Sequence, residues 1–161
     1  MALVAMGGLL ATSCSDDPSD ENYYTFTGQM LSEYLKTHED YSEFCSVVER
    51  AGLMHQLSAY GHYTCFAPTN EAMNNYLSEH GLTSVSELSD ADCDTLARTH
   101  LVDNIFTTAD MADGTLTTAN MNKRYIEITH GLDADSNAVV FLNRSAHVIF
   151  KLQDDSVENG I

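Results

Sequence analysis

Four cysteines and seven histidines are the residues with which this chain could bind a metal ion or act as a nucleophile. No histidine lies four residues from another, and no Cys-x-x-Cys pair occurs, so the common zinc spacings are missing from the sequence. The Gly-x-Ser-x-Gly elbow of hydrolases and the glycine-rich phosphate and dinucleotide loops are missing as well. The sequence therefore predicts a protein that is not an enzyme, with no metal and no cofactor.

Two acidic repeats, at residues 90–94 and 133–137, imitate the first half of a calcium-binding loop. In the first repeat, Thr95 stands where such a loop requires glycine, and Leu101 stands where it requires glutamate. The second repeat fails at the same two positions. We predict instead that the first repeat is the capped first turn of a helix, and that the second is the loop of a β-hairpin.

The balance of charge excludes several kinds of partner. Lys and Arg total 7 against 24 Asp and Glu, which gives a formal net charge of −17. A field of that sign repels phosphate backbones and anionic membrane surfaces, so we expect no nucleic-acid partner. The chain has 161 residues, of which 43% are hydrophobic, so it can bury the core of one domain.

The N-terminus predicts an exported lipoprotein. Residues 1–13 form an apolar run too short to span a bilayer, which is typical of a signal peptide. Residues 10–14, Leu-Ala-Thr-Ser-Cys, resemble a bacterial lipobox, which implies lipidation of Cys14. The Lys or Arg that usually precedes the apolar run of a signal peptide is missing, as expected if translation starts upstream of Met1. Residues 14–26 would then be an acidic tether. The implied location is the surface of the outer membrane of a Gram-negative bacterium, with membrane contact through the lipid only. The alternative is an incidental cysteine in an apolar terminus.

The other three cysteines, Cys45, Cys65 and Cys93, are an odd number for a protein outside the cytoplasm. Each lies among apolar or helical neighbours. We therefore expect small buried hydrophobic side chains, and leave their pairing open.

Periodicity predicts an α+β domain, with helices first and strands after them. Five helices are predicted. The first spans residues 27–36, the second is capped by Asp40 and Glu43 and ends at Gly52, and the third spans residues 53–59. The fourth begins at Thr69 or Asn70, and the fifth is capped by Ser89 with Asp92 and includes His100 and Leu101. The predicted strands span residues 63–67, 115–118, 124–129, 138–142 and 147–152.

The most abrupt change of pattern lies at Phe66, Pro68, Thr69 and Asn70, where an apolar strand meets a helix. Pro68 has no N–H and forces the residue before it into an extended conformation, so the strand ends there. Thr69 or Asn70 can then accept a hydrogen bond from an unpaired amide of the first helical turn. We interpret these four residues as a structural hinge.

The hinge segment, Thr-Cys-Phe-Ala-Pro-Thr-Asn-Glu-Ala-Met at residues 64–73, closely resembles the first signature of fasciclin (FAS1) domains. Residues 40–44 and 51–53 look like the opening helices of that family. Residues 157–161, Val-Glu-Asn-Gly-Ile, resemble the start of its second signature. The resemblance covers residues 27–161 and implies a compact α+β wedge, with helices packed on a region of short strands. It also implies that a closing strand is missing from this chain.

The resemblance implies a function in adhesion at the cell surface. His100 occupies the histidine position of the Tyr-His motif with which animal members engage receptors, but Thr99 replaces the tyrosine. His100 is therefore a candidate interaction residue, and a hydrogen-bonded structural histidine is the alternative. We expect a protein or carbohydrate ligand at the cell surface. A second candidate function is an accessory lipoprotein of a glycan-capture or envelope complex.

Overall fold

A computed structural model of the chain describes residues 28–149 and 153–161. The predicted signal peptide at residues 1–13, the lipidation site Cys14 and the tether at residues 14–26 lie outside the described residues. In the described part, all five α-helices precede the strands of the larger sheet. They are α1 (Leu31–Thr37), α2 (Ser42–Arg50), α3 (Met54–Leu57), α4 (Asn70–Glu79) and α5 (Asp90–Thr99), with 3-10 turns at Glu39–Tyr41, Val85–Glu87 and Thr108–Asp110.

The described strands form two sheets. The first contains β1 (Thr64–Cys65) and β2 (Leu101–Val102), which are antiparallel. The second is an antiparallel sheet in the order β3 (Gly114–Thr115), β4 (Glu127–Leu132), β5 (Ala138–Leu142) and β6 (Ala146–His147). The predicted α+β class is confirmed. None of the helices in the described part is both long and apolar enough to cross a membrane.

Two predicted caps had different outcomes. Ser89 and Asp92 form a capping box at the start of α5, so the acidic repeat at residues 90–94 is a capped first turn, as predicted. The prediction of a capping box formed by Asp40 and Glu43 was wrong. The 3-10 turn at Glu39–Tyr41 runs directly into α2, and no side chain of that turn caps the helix.

The boundaries of several strands differ from the prediction. Of the strand predicted at residues 63–67, only Thr64 and Cys65 pair with β2. β4 begins three residues later than expected, whereas β5 has the predicted bounds. Residues 133–137 are the hairpin loop between β4 and β5, as expected. The end of the strand predicted at residues 147–152 falls outside the described residues.

The end of α5 corrects another prediction. Helix α5 stops at Thr99, and His100 is its C-cap, so His100 and Leu101 do not continue the helix. Leu101 instead pairs with Cys65 in the small sheet. Pairing with a distant strand decided this boundary, and helical periodicity cannot reveal such a partner.

The C-terminal residues lie beside β1. Tyr63 N–H donates to Asn159 O at 2.9 Å, Ile161 N–H donates to Tyr63 O at 2.9 Å, and Cys65 N–H donates to Ile161 O at 2.8 Å. A Cβ atom on Gly160 would lie 2.4 Å from the Tyr63 carbonyl oxygen, so this close approach requires glycine. The ladder thus adds a parallel partner to the small sheet.

The buried apolar side chains form two clusters, which we call the helical core and the sheet core. The helical core includes Phe44, Val47, Val48, Leu57, Met73, Leu77, Cys93, Ala97 and Leu101. The sheet core contains Val102, Met111, Leu116, Ile126, Ile128 and Val140. Phe66 packs against the sheet core, while its neighbours Cys65 and Ala67 pack against the helical core. The hinge therefore lies where the two cores meet.

Candidate functional site

The hinge begins at the end of β1 and turns into α4. Thr69 has an extended backbone, with φ −65° and ψ 162°, and its Oγ1 accepts a hydrogen bond from Ala72 N–H at 3.3 Å. Thr69 is therefore the N-cap of α4, and Glu71 lies in the first turn, where the helix dipole favours a negative charge. Pro68 precedes this cap and needs no hydrogen-bond partner for its nitrogen.

Asn70, unlike Thr69, makes hydrogen bonds to a second helix. Its Oδ1 accepts a hydrogen bond from Glu43 N–H at 3.0 Å, and its Nδ2 donates to Glu39 O at 2.8 Å and to Ser42 Oγ at 3.0 Å. These three partners surround the start of α2, which has no cap from its own side chains. Asn70 therefore joins the N-termini of two helices that are far apart in sequence.

His100 is bonded to the hinge through both its backbone and its ring. Phe66 N–H donates to His100 O at 2.9 Å, and His100 Nδ1 donates to Phe66 O at 2.9 Å. Because a carbonyl can only accept, this bond assigns the proton to Nδ1. Burial lowers the pKa of His100, although its bond to Phe66 opposes that shift, so the ring is neutral at physiological pH. The edge-to-face contact with Phe44, at 5.4 Å between centroids, holds the ring in place.

A cavity of about 230 Å³ lies between the two cores at the hinge. Phe66, Pro68, Thr69 and His100, four of the residues singled out from the sequence, line this cavity together. Asn70 is not among its lining residues. Most of the other lining side chains are apolar and come from both cores, among them Leu31, Leu35, Phe106, Met111, Leu142 and Val148. The arrangement suits contact with an apolar group better than chemistry on a polar one.

The sequence alone did not indicate two pairs of hydrogen-bonded residues that also line the cavity. Asp155 Oδ2 accepts a hydrogen bond from Tyr34 O–H at 2.5 Å, and Asp154 accepts from both the backbone N–H and the hydroxyl of Thr108. Their partners lie 121 and 46 residues away in sequence. No local pattern in the sequence indicates such pairings, because consecutive aspartates are equally compatible with a solvent-exposed turn.

Two titratable side chains beside the cavity, Cys65 and Tyr34, are held in their protonated forms. Burial raises the pKa of the Cys65 thiol to about 12, and burial together with the bond to Asp155 raises the pKa of Tyr34. A thiol reacts as its thiolate, so Cys65 is a poor nucleophile in this state. Within residues 28–149 and 153–161, no group of three or more His, Cys, Asp or Glu side chains is arranged to hold a metal ion.

Comparisons with known proteins identify the family. The model of the fasciclin domain matches residues 39–161. Among solved structures, the chain is similar to an insect protein described as "a FAS1 Domain Pair from the Insect Cell Adhesion Molecule Fasciclin I", with a TM-score of 0.62 and 16% identity. The match covers 82% of this chain and 47% of that one, so this chain spans about half the length of its structural relative. No match was found among curated proteins.

Proposed function

This chain belongs to the fasciclin domain family, and from that membership we propose that it is a non-catalytic adhesion or protein-interaction module, anchored at the cell surface by a lipid on Cys14. The observation that carries the proposal is the family match, which extends over residues 39–161 and includes the hinge, His100 and the C-terminal ladder. The insect relative is named a cell adhesion molecule, and an equivalent role comes to this chain as a proposal.

The groups at the hinge support a contact surface more than a reactive site. His100 is neutral and fixed by two hydrogen bonds, and Cys65 is protonated beside an apolar cavity. A general base or nucleophile needs a pKa matched to its task, and the environment moves the pKa of Cys65 away from that range. The hinge thus supplies apolar side chains held in place by hydrogen bonds, which suit contact with a partner protein better than catalysis.

Export and lipidation are the parts of the proposal that rest on the sequence of residues 1–26. A Gram-negative host should produce the full chain and its Cys14→Ser variant in the presence of an alkyne-labelled fatty acid. We expect the wild type to take up the label, to fractionate with the outer membrane and to be digested by protease added to intact cells. An unlabelled wild type would contradict the anchor.

Adhesion itself is tested with the same two strains and a strain carrying an empty vector. Cells are applied to surfaces coated with individual extracellular proteins or individual polysaccharides, and retained cells are counted after washing. We expect retention of the wild-type strain on a protein-coated surface, and loss of that retention in the Cys14→Ser strain. Retention on polysaccharides alone would favour the accessory role in glycan capture. Retention no greater than that of the empty-vector strain, with display verified by protease digestion, would contradict adhesion.

A further inference from the structure

Residues 153–157 cross one side of the cavity as an irregular segment, which we call the strap. Two neighbouring carboxylates fix it at opposite sides. Asp155 bonds to Tyr34 in α1, which packs against the helical core. Asp154 bonds to Thr108, in the 3-10 turn three residues before Met111 of the sheet core. The strap therefore spans from one core to the other.

The four residues that form these bonds all line the cavity: Tyr34, Thr108, Asp154 and Asp155. Asp154 and Asp155 are also exposed to solvent. Groups that line a cavity and also face solvent lie at its rim. The strap thus forms part of the rim of the cavity on this side.

The strap is held in a conformation that its backbone does not favour. Asp154 has a φ of 60°, in the left-handed region that costs a non-glycine residue free energy. Its two bonds to Thr108, at 2.8 Å and 2.5 Å, offset that cost. At the C-terminal end of the strap, Val157 packs against the helical core and its N–H donates to Gly160 O at 2.9 Å, so the two carboxylate bonds hold the exposed part of the strap that precedes Val157.

We propose that the strap is a latched cover, and that release of its two carboxylate bonds opens the cavity to solvent while both cores stay folded. This inference concerns a motion of the domain and is independent of the proposed adhesion function. The opening would be a local unfolding event, of the kind that occurs with a smaller free energy than global unfolding. The cavity would then be closed or accessible according to the state of the latches.

Cys65 reports on this opening from inside the cavity. Cys65 lines the cavity, is only partly exposed and is held in its thiol form, so it should react slowly with an alkylating reagent while the strap is closed. Cys45 and Cys93 lie in α2 and α5, where both are buried in the helical core. They become reactive only when that core unfolds. The three thiols therefore distinguish release of the strap from unfolding of the domain.

The test compares alkylation rates by iodoacetamide at each cysteine of the full chain, resolved by peptide mass spectrometry. Tyr34→Phe removes the latch to Asp155 and keeps the ring that stacks on His38. Thr108→Val removes one of the two bonds to Asp154. The matched control is Thr83→Val, which breaks an equally short hydroxyl–carboxylate bond, to Glu87. Thr83 is not among the residues that line the cavity.

We expect Tyr34→Phe to accelerate alkylation of Cys65 about tenfold, because a hydrogen bond to a charged acceptor stabilises the closed state by that factor or more. Thr108→Val should have a smaller effect, since the main-chain bond remains, and the double variant should have the largest. Cys45 and Cys93 should keep their wild-type rates. The proposal is overturned by a Cys65 rate in the double variant equal to that of Thr83→Val, or by equal acceleration of all three cysteines.

Discussion

The side chain of Asn70, the first residue of α4, accepts the N–H of Glu43 at 3.0 Å and so caps a helix other than its own. Thr69, one residue earlier, caps α4 itself. The two adjacent residues of the hinge therefore have different roles. Thr69 caps α4, and Asn70 connects α4 to the start of α2. This division gives the hinge a role in tertiary structure that a helix cap alone would not have.

The first prediction compares these two residues. Thr69→Ala should lower the free energy of unfolding by about 1 kcal/mol, as for loss of a single N-cap. Asn70→Ala should cost more, about 2 kcal/mol, because it removes three hydrogen bonds between two helices. Chemical denaturation of both variants measures the difference. Asn70→Asp keeps the acceptor for Glu43 and should lie between Asn70→Ala and the wild type. A smaller cost for Asn70→Ala than for Thr69→Ala would contradict the cross-helix role.

The second prediction concerns the two phenylalanines around His100. Phe44 is fully buried in the helical core, whereas Phe66 is partly buried and borders the cavity. Phe44→Ala should therefore cost about 3–5 kcal/mol, and Phe66→Ala clearly less, because part of the Phe66 ring already lacks packing neighbours. Thermal and denaturant melts of both variants provide the comparison. Equal losses would mean that the cavity beside Phe66 is filled in solution.

The third prediction is a dependence of stability on pH. Burial lowers the pKa of His100 below its ordinary value of 6.5, so the unfolded chain binds this proton more readily than the folded chain. Stability from this group is complete above the unfolded pKa and is lost as pH falls from there through the lower folded pKa. Unfolding free energies measured from about pH 7.5 to about pH 5.5 should therefore decline on acidification.

The matched variant for that measurement is His100→Asn, whose amide can still donate to Phe66 O but does not titrate. Its decline between the same two pH values should be smaller than that of the wild type. The other histidines are present in both proteins, so the difference between the two curves isolates His100. Superimposable pH dependences would show that His100 is not held neutral by the fold.

The fourth prediction concerns the edge of β1 beyond its pairing with Ile161. In the ladder beside β1, Cys65 N–H already bonds to Ile161 O. The regular spacing of a parallel ladder makes Cys65 C=O and Ala67 N–H the next pairing groups along that edge. Both residues line the cavity, so an extended apolar segment added there would pair its backbone and fill apolar space.

Appending such a segment should raise the melting temperature and reduce self-association, because an unpaired strand edge is a site of edge-to-edge pairing. The control is an extension of the same length made of glycine and serine. Melting curves and sedimentation velocity measure both effects. If the apolar and the Gly/Ser extensions melt at the same temperature, the edge does not accept a further strand.

The sequence by itself determined the elements whose signals are local. Pro68 and Thr69 specify the hinge because the missing N–H, the restricted φ and the capping hydroxyl all act within four residues. Ser89 and Asp92 specify the start of α5 for the same reason, and the hairpin strand at residues 138–142 was predicted with its observed bounds. Periodicity predicted the α+β class and the hinge motif predicted the family, and both predictions are confirmed.

Only the tertiary structure decided the features that depend on distant partners. The cap of α2 comes from Asn70, 27 residues away, and α5 ends at Thr99 because Leu101 pairs with β1. The strap that Asp154 and Asp155 hold in place depends on contacts with Thr108 and Tyr34, 46 and 121 residues away. A hydrogen-bonding side chain carries the same local signal whether its partner is near or far along the chain, so the sequence identifies such a residue as polar and only the fold selects its partner.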